Sequence, residues 1–201
     1  PFYHISLSDA LRWPAGRKVV LEGIITVPPG VLGKHLFYVG DGAVGLAVYQ
    51  NGTDFYPWQP GDRVRLYGRL RDNRYQRQLF LPNPTNIATI AHGKRLPPCF
   101  LTSAIGFARQ PWARLITLRG QVVRKEGRKV WLALPDGVVP IYARSGLGIS
   151  LRPVVIDSWW QVTGIVYRSR KTRVVALRSS ADLTPWNITH IAPQRFSRLL
   201  W

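Results

Sequence analysis

The residues of this chain that could do chemistry are arginines and lysines gathered in three short segments, together with a few aromatic residues. The basic segments hold Arg69, Arg71, Arg74, Tyr75 and Arg77, then Arg124, Lys125, Arg128 and Lys129, and then Arg168, Arg170, Lys171 and Arg173. The accompanying aromatic residues are Phe37, Tyr38, Tyr49 and Trp131. Guanidinium and ammonium groups neutralise phosphates, and aromatic rings stack on bases. The pattern is suited to binding a polyanion that carries bases.

No comparable pattern in the sequence indicates catalysis or metal binding. The 10 carboxylates are scattered singly, and the one cysteine, Cys99, has no histidine close to it in sequence. There is no glycine-rich phosphate loop, nucleophile elbow or helical metal motif. We therefore expect a protein that is not an enzyme, with no catalytic residue, no metal, no cofactor and no small-molecule substrate.

The charge balance points to an anionic partner. The 201 residues include 28 Lys and Arg against 10 Asp and Glu, a formal net charge of +18. Apolar residues make up 46% of the chain, which is too many for a disordered basic tail. A genome rich in G and C, or a thermophilic one, is the alternative cause of so much arginine.

Location is left open by the sequence. No apolar run approaches the roughly 18 residues that span a bilayer, so we expect no membrane span. The chain contains no methionine, and we expect that its N-terminus has been processed. Both a bacterial exported protein and a cytoplasmic protein fit these observations.

The chain contains an internal sequence repeat, in which one unit occurs twice. Val20–Gly23 matches 117–120, Leu46–Tyr49 matches 139–142, and 84–90 matches 185–191, in the same order and with offsets of 93 to 101 residues. We predict a first domain at 1–92, a linker at 93–98, a second domain at 99–191 and a C-terminal tail at 192–201.

Within each copy the signals are those of strands and turns. Runs of β-branched and aromatic residues in the first copy predict strands at 19–27, 35–39, 44–49, 63–70 and 78–81. Gly68 and its counterpart Gly164 lie inside predicted strands, where glycine weakens pairing but permits a bulge or a sharp coil. Short helices are predicted at 8–12 and 102–108. Five strands with bending glycines in about 90 residues indicate a small closed barrel.

The motifs of the first copy resemble the OB-fold. Gly23 inside the first strand, Phe-Tyr-Val-x-Asp-Gly at 37–42 and Pro-Gly-Asp-Arg-Val at 60–64 carry this resemblance. They are similar to the anticodon-binding and single-strand-binding OB families. The opening of the chain, 5–10 followed by 20–30, also resembles OB-like modules of exported bacterial nucleases and surface proteins. The resemblance implies an all-β protein of two tandem five-stranded OB-fold barrels, each preceded by a short helix.

The same resemblance places the basic segments on the rims of the barrels. OB-folds receive oligonucleotides or oligosaccharides on the face of their second and third strands, between the loops that join strands 1–2 and 4–5. Three of these four rim loops are basic, and the aromatic residues fall on the sheets between them. The alternative is that charged hairpin tips are simply solvated and that the aromatic side chains fill the barrels.

We therefore expect a nucleic-acid-binding protein that takes single-stranded DNA or RNA with little sequence preference. The alternative, from a different class, is an exported surface or filament-forming module that assembles edge to edge, even along a polyanion. Single-strand binding and self-assembly can coexist in one protein.

Overall fold

The first half of the chain is a closed five-stranded barrel with two accessory strands. The computed structural model describes residues 1–52, 56–73, 76–169 and 172–186. The strands of the first half are β1 (Tyr3–His4), β2 (Lys18–Val27), β3 (Leu36–Gly40), β4 (Gly45–Gln50), β5 (Arg63–Asp72), β6 (Arg77–Leu81) and β7 (Ile87–Ala91). The five strands predicted from the sequence correspond to β2 to β6, with each end within two residues of the prediction.

The second half repeats this arrangement. Its strands are β8 (Cys99–Leu101), β9 (Leu115–Glu126), β10 (Lys129–Leu134), β11 (Gly137–Tyr142), β12 (Trp159–Ser169), β13 (Thr172–Ala176) and β14 (Leu183–Pro185). The limits of the two domains stay a prediction.

Both barrels close in the same strand order. In the first, the order is β2-β3-β4-β6-β5, and β5 pairs back onto β2. In the second it is β9-β10-β11-β13-β12, closed by the β12–β9 pairing. The neighbours within each barrel are antiparallel, except that the third strand runs parallel to the fifth. This is the tandem OB-fold that the sequence predicts.

A short helix precedes each barrel, as expected. Helix α1 (Leu7–Ala10) begins at Ser6, whose side chain accepts a hydrogen bond from the Asp9 backbone N–H. Helix α2 (Ala104–Ala108) begins at Ser103. The Asp136 carboxylate, in the β10–β11 turn, accepts hydrogen bonds from the first two backbone N–H groups of α2. These bonds fasten α2 to the second barrel.

Glycine is required where the fourth strand of each barrel crosses the fifth. A Cβ on Gly68 would lie 2.7 Å from the Phe80 carbonyl oxygen, and one on Gly164 would lie 2.4 Å from that of Ala176. Both distances are too short for any side chain, so the two strands can approach this closely only at glycine. The two repeated glycines therefore permit close packing of neighbouring strands at the same place in both barrels.

One of the repeat matches is wrong. Leu66 of β5 pairs with Ile87, and its counterpart in the second barrel, Val162, pairs with Leu183. The last strand of the second copy therefore begins at Leu183, whereas the match of 84–90 with 185–191 places it five residues later. Residues 187–191 of that match lie outside the described residues.

The two barrels have separate cores and share a third apolar cluster between them. That cluster joins the outer faces of β3 and β4 in the first barrel to those of β12 and β13 in the second. Its buried members are Val27, Leu32, Tyr38, Ala47, Ala113, Ile165 and Ala176. Packing at Gly45 is especially close, because a Cβ there would lie 2.0 Å from the Ala113 carbonyl oxygen.

Two arginines of the second barrel reach carbonyl groups of the first. Arg144 donates to the Val31 carbonyl at 3.1 Å, and Arg178 donates to the Thr26 carbonyl at 3.0 Å. The barrels are thus joined by polar contacts as well as by the shared apolar cluster.

Candidate nucleic-acid interface

The face of the first barrel that OB-folds normally use is largely covered. The side chains of Phe37 and Tyr38 point to opposite sides of β3, as alternation along a strand requires. Phe37 packs into the first core, while Tyr38 points outward into the cluster between the barrels, and both are fully buried. Neither ring is accessible to a base, so the structure corrects the sequence expectation for these two residues. Burial also raises the pKa of Tyr38.

Tyr49 lies beyond the covered part of this face. Its ring is half-buried and stacks on Phe80 with the ring centroids 5.9 Å apart and an interplanar angle of 23°. The centre of the His35 ring also lies 5.5 Å from that of Tyr49. Sequence reasoning missed Phe80, although the alternation of residues 78–81 marks it as pointing out of the barrel.

The basic residues that the sequence predicts as binding residues of the first barrel fall into three groups: exposed, engaged in structural bonds, and outside the described residues. Arg69 and Arg71 are exposed, and the Arg71 guanidinium carbon lies 3.3 Å from the centre of the Phe80 ring. Arg77 is instead engaged, because it forms an ion pair with Asp72 at 2.8 Å and also donates to the Trp13 carbonyl. Arg74 and Tyr75 lie outside the described residues.

The arginines on the outer face of strand β5 differ in whether they pair with a carboxylate. Arg63 and Arg65 both pair with Glu22, at 2.7 and 2.8 Å. The Arg65 hydrogen bond is the main cause that lowers the pKa of Glu22. Further along the same face, Arg69 and Arg71 have no carboxylate partner among the described residues.

The corresponding face of the second barrel, on β10 and β11, carries a half-exposed aromatic residue with a cation above it. Trp131 lies on β10 opposite Pro140, and the Arg124 guanidinium carbon lies 4.6 Å from the centre of its ring. Lys129 lies two residues before Trp131 on the same face. Arg124 also pairs with Glu126, but both side chains are more than 60% exposed, so the pair is weak. This arrangement offers a stacking platform beside two cations.

Two cations of the β9–β10 hairpin hold neighbouring loops. Lys125 donates to the carbonyls of Leu151 and Val154, at 2.6 and 3.0 Å. Arg128 donates to the carbonyls of Ala143 and Arg144, at 2.8 and 2.6 Å. The positions of both side chains are fixed by these structural bonds.

The β12–β13 hairpin is only partly described. Arg170 and Lys171 lie outside the described residues, and Arg168 is half-buried. Arg173 packs over Trp112 at 3.9 Å and donates to the Gln110 carbonyl at 2.6 Å. Burial lowers the pKa of the Arg173 guanidinium. Arg173 is therefore a packing residue, with less of its surface free than the sequence suggests.

The described residues contain neither a metal-binding cluster nor a helix that could span a membrane. No group of three or more histidine, cysteine, aspartate or glutamate side chains could hold a metal ion in residues 1–52, 56–73, 76–169 and 172–186. No helix within those ranges is long and apolar enough to cross a bilayer.

Comparison with known proteins finds similarity in structure alone. No protein-family model matches the sequence, and no curated protein sequence matches it. Fission yeast Pot1, solved with ssDNA, is 9% identical with a TM-score of 0.42, covering 94% of this chain and 89% of its own. A murine DNA-binding protein solved with ds DNA is 9% identical with a TM-score of 0.36, covering 79% of this chain and 90% of its own. The E. coli protein YgiW is 10% identical with a TM-score of 0.33, covering 45% of this chain and 98% of its own.

Proposed function

We propose that this protein binds single-stranded DNA or RNA with little sequence preference and does no chemistry on it. The observation that carries the proposal is the face formed by β10 and β11 in the second barrel, where Arg124 lies over the partly exposed Trp131 beside Lys129. A base can stack on the indole while the two cations meet the flanking phosphates. Since every base has an aromatic face, such a platform does not select a sequence.

The charge distribution supports the proposal. The described residues contain carboxylates paired with Arg63, Arg65, Arg77, Arg124 and Arg178. With 28 basic and 10 acidic side chains, most cations have no carboxylate to pair with. A surplus of this size attracts a phosphate backbone over a long range and makes binding sensitive to salt.

The test is fluorescence anisotropy of a labelled 30-mer, as a single strand and as a duplex. We expect the single strand to bind more tightly, and Trp131→Leu to weaken its binding about tenfold through the loss of one stacked base. Trp159→Leu is the matched control, since Trp159 is a 38% exposed tryptophan of the same barrel that lies on β12, which β9 separates from β10. Equal effects of the two substitutions would contradict the proposed platform, and equal binding to heparin would reduce the function to general polyanion binding.

A second candidate function is self-assembly through strand edges. Strand β7 is the last strand of its sheet, carries no charged residue, and leaves Ile90 41% exposed. An uncharged edge of this kind can pair with a strand of another copy. Light scattering across a concentration series tests this candidate. A particle mass that rises with concentration in the unaltered protein, but not in Ile90→Lys, would favour self-assembly. A constant monomer mass would exclude it.

A further inference from the structure

One row of side chains crosses the outside of the first barrel from strand to strand. Lys18 on β2 is the register partner of Arg69 on β5, and Arg69 is the partner of Phe80 on β6. Phe80 is the partner of Tyr49 on β4, and Tyr49 that of Leu36 on β3. We call these five residues, together with Arg71, the barrel-one belt. Four steps between neighbouring strands make it about 19 Å long.

The middle of the belt is a stack of flat groups. Tyr49 and Phe80 are stacked at 5.9 Å, and the Arg71 guanidinium covers the Phe80 ring at 3.3 Å. Both rings are half-buried, so each keeps an accessible part. Aromatic rings and guanidinium planes are the groups on which unpaired bases stack.

At one end of the belt lie three cations for which the described residues provide no counter-charge. Lys18, Arg69 and Arg71 are exposed and have no carboxylate partner among the described residues, in contrast to Arg63 and Arg65 on the same strand. They border a recess of about 350 Å³ that also involves Phe2, Tyr67 and Phe80. No carboxylate of the described part of the chain lines this recess, so its charge is complementary to phosphate.

We propose that the barrel-one belt is a second surface for single-stranded nucleic acid. Lys18, Arg69 and Arg71 contact phosphates, and bases stack on Tyr49 and on the Phe80–Arg71 pair. This inference rests on the proposed function and adds a site to it. The belt lies mainly on the first, fourth and fifth strands of its barrel, because the second barrel covers the central part of the face that OB-folds normally use.

The test compares two double variants that change the same strand, the same outer face and the same net charge. Arg69→Gln with Arg71→Gln removes belt cations, and Arg63→Gln with Arg65→Gln removes cations that already pair with Glu22. Binding of a labelled single-stranded 30-mer is measured by anisotropy from 50 to 300 mM salt. Each lost phosphate contact should reduce the magnitude of the slope of log K against log salt by about 0.7.

We expect the belt variant to reduce that slope by about 1.4 and to bind at least about tenfold more weakly at 50 mM salt, while the control variant changes the slope by less than half as much. Equal effects of both variants would overturn the belt and leave only general charge. If the unaltered protein binds and the belt variant binds equally well, the belt is overturned but the proposed function is not. Failure of the unaltered protein to bind would overturn the proposed function itself.

A second measurement tests the stacking without altering a side chain. On irradiation, a 30-mer that carries 5-iodouridine should crosslink to the peptides that contain Tyr49 and Phe80. It should also crosslink to the peptide that contains Trp131. Crosslinks at Trp131 without any at Tyr49 or Phe80 would contradict the belt and leave the second-barrel face standing.

Discussion

Arg178→Met should destabilise the protein more than the loss of an arginine from an exposed ion pair. Arg178 lies against Asp182 with two charged nitrogens on the carboxylate, Nε at 3.0 Å and one terminal nitrogen at 2.6 Å. Its other terminal nitrogen donates to the Thr26 carbonyl in the first barrel. Removing this side chain leaves the Asp182 carboxylate without its cation and breaks a bond between the barrels.

The size of the effect follows from burial. The side chain of Asp182 is 5% exposed and that of Arg178 is 18% exposed. Removing one partner of a buried ion pair costs about 3–5 kcal/mol, and the partial exposure of Arg178 favours the low end, about 3 kcal/mol. For a chain of this size that corresponds to a fall in Tm of about 6–12 °C.

Thermal unfolding followed by circular dichroism measures this effect. Arg124→Met is the control, because the Arg124–Glu126 pair is more than 60% exposed on both sides and should contribute at most about 1 kcal/mol. Adding Asp182→Asn to Arg178→Met should recover part of the loss, since no charge is then left buried. A fall in Tm no larger than that of Arg124→Met would refute the reasoning.

Three other predictions concern packing and pH. Gly164→Ala should cost at least about 2 kcal/mol in a urea titration, because its Cβ would lie 2.4 Å from the Ala176 carbonyl oxygen; an unchanged midpoint would contradict the close strand crossing. Gly45→Val should loosen the contact between the barrels, seen as a larger radius of gyration in X-ray scattering, whereas Ala43→Val, at an exposed position of the same turn with an ordinary φ, should not. Burial alone would raise the pKa of Asp62, but hydrogen bonds from the Gln59 N–H and from His92 outweigh it and hold the pKa below its ordinary value of 3.8. Stability supplied by Asp62 is therefore present above about pH 4 and lost as the pH falls through the lowered pKa, so Asp62→Asn should make the unfolding free energy less dependent on pH between about 2 and 4.

The fold could be predicted from the sequence because its determinants are local and occur twice. Alternation in 63–70 specifies a strand with one buried face, and Gly68 and Gly164 mark the same crossing in both copies. The match of 84–90 with 185–191 failed because two short segments can contain similar residue types and still occupy different positions in the pairing of the strands. Strand pairing at Leu183 shows the true register.

The candidate site was harder to predict because it depends on contacts between distant residues. Alternation predicts that Tyr38 points out of its barrel, but only the packing of the second barrel decides that it is buried. In the same way, nothing local in the sequence says that Lys125 binds the carbonyls of Leu151 and Val154, or that Phe80 comes to lie beside Tyr49. Those relations arise from the closure of the barrels.

The most direct test of the central claim is the salt dependence of single-strand binding by the unaltered protein. If six phosphates are neutralised, log K should fall against log salt with a slope of about −4 between 50 and 300 mM. A single-stranded 30-mer should also bind more tightly than its duplex throughout this range. A slope near zero, or no binding at 50 mM salt, would contradict the claim that this protein holds a nucleic-acid strand through its cations.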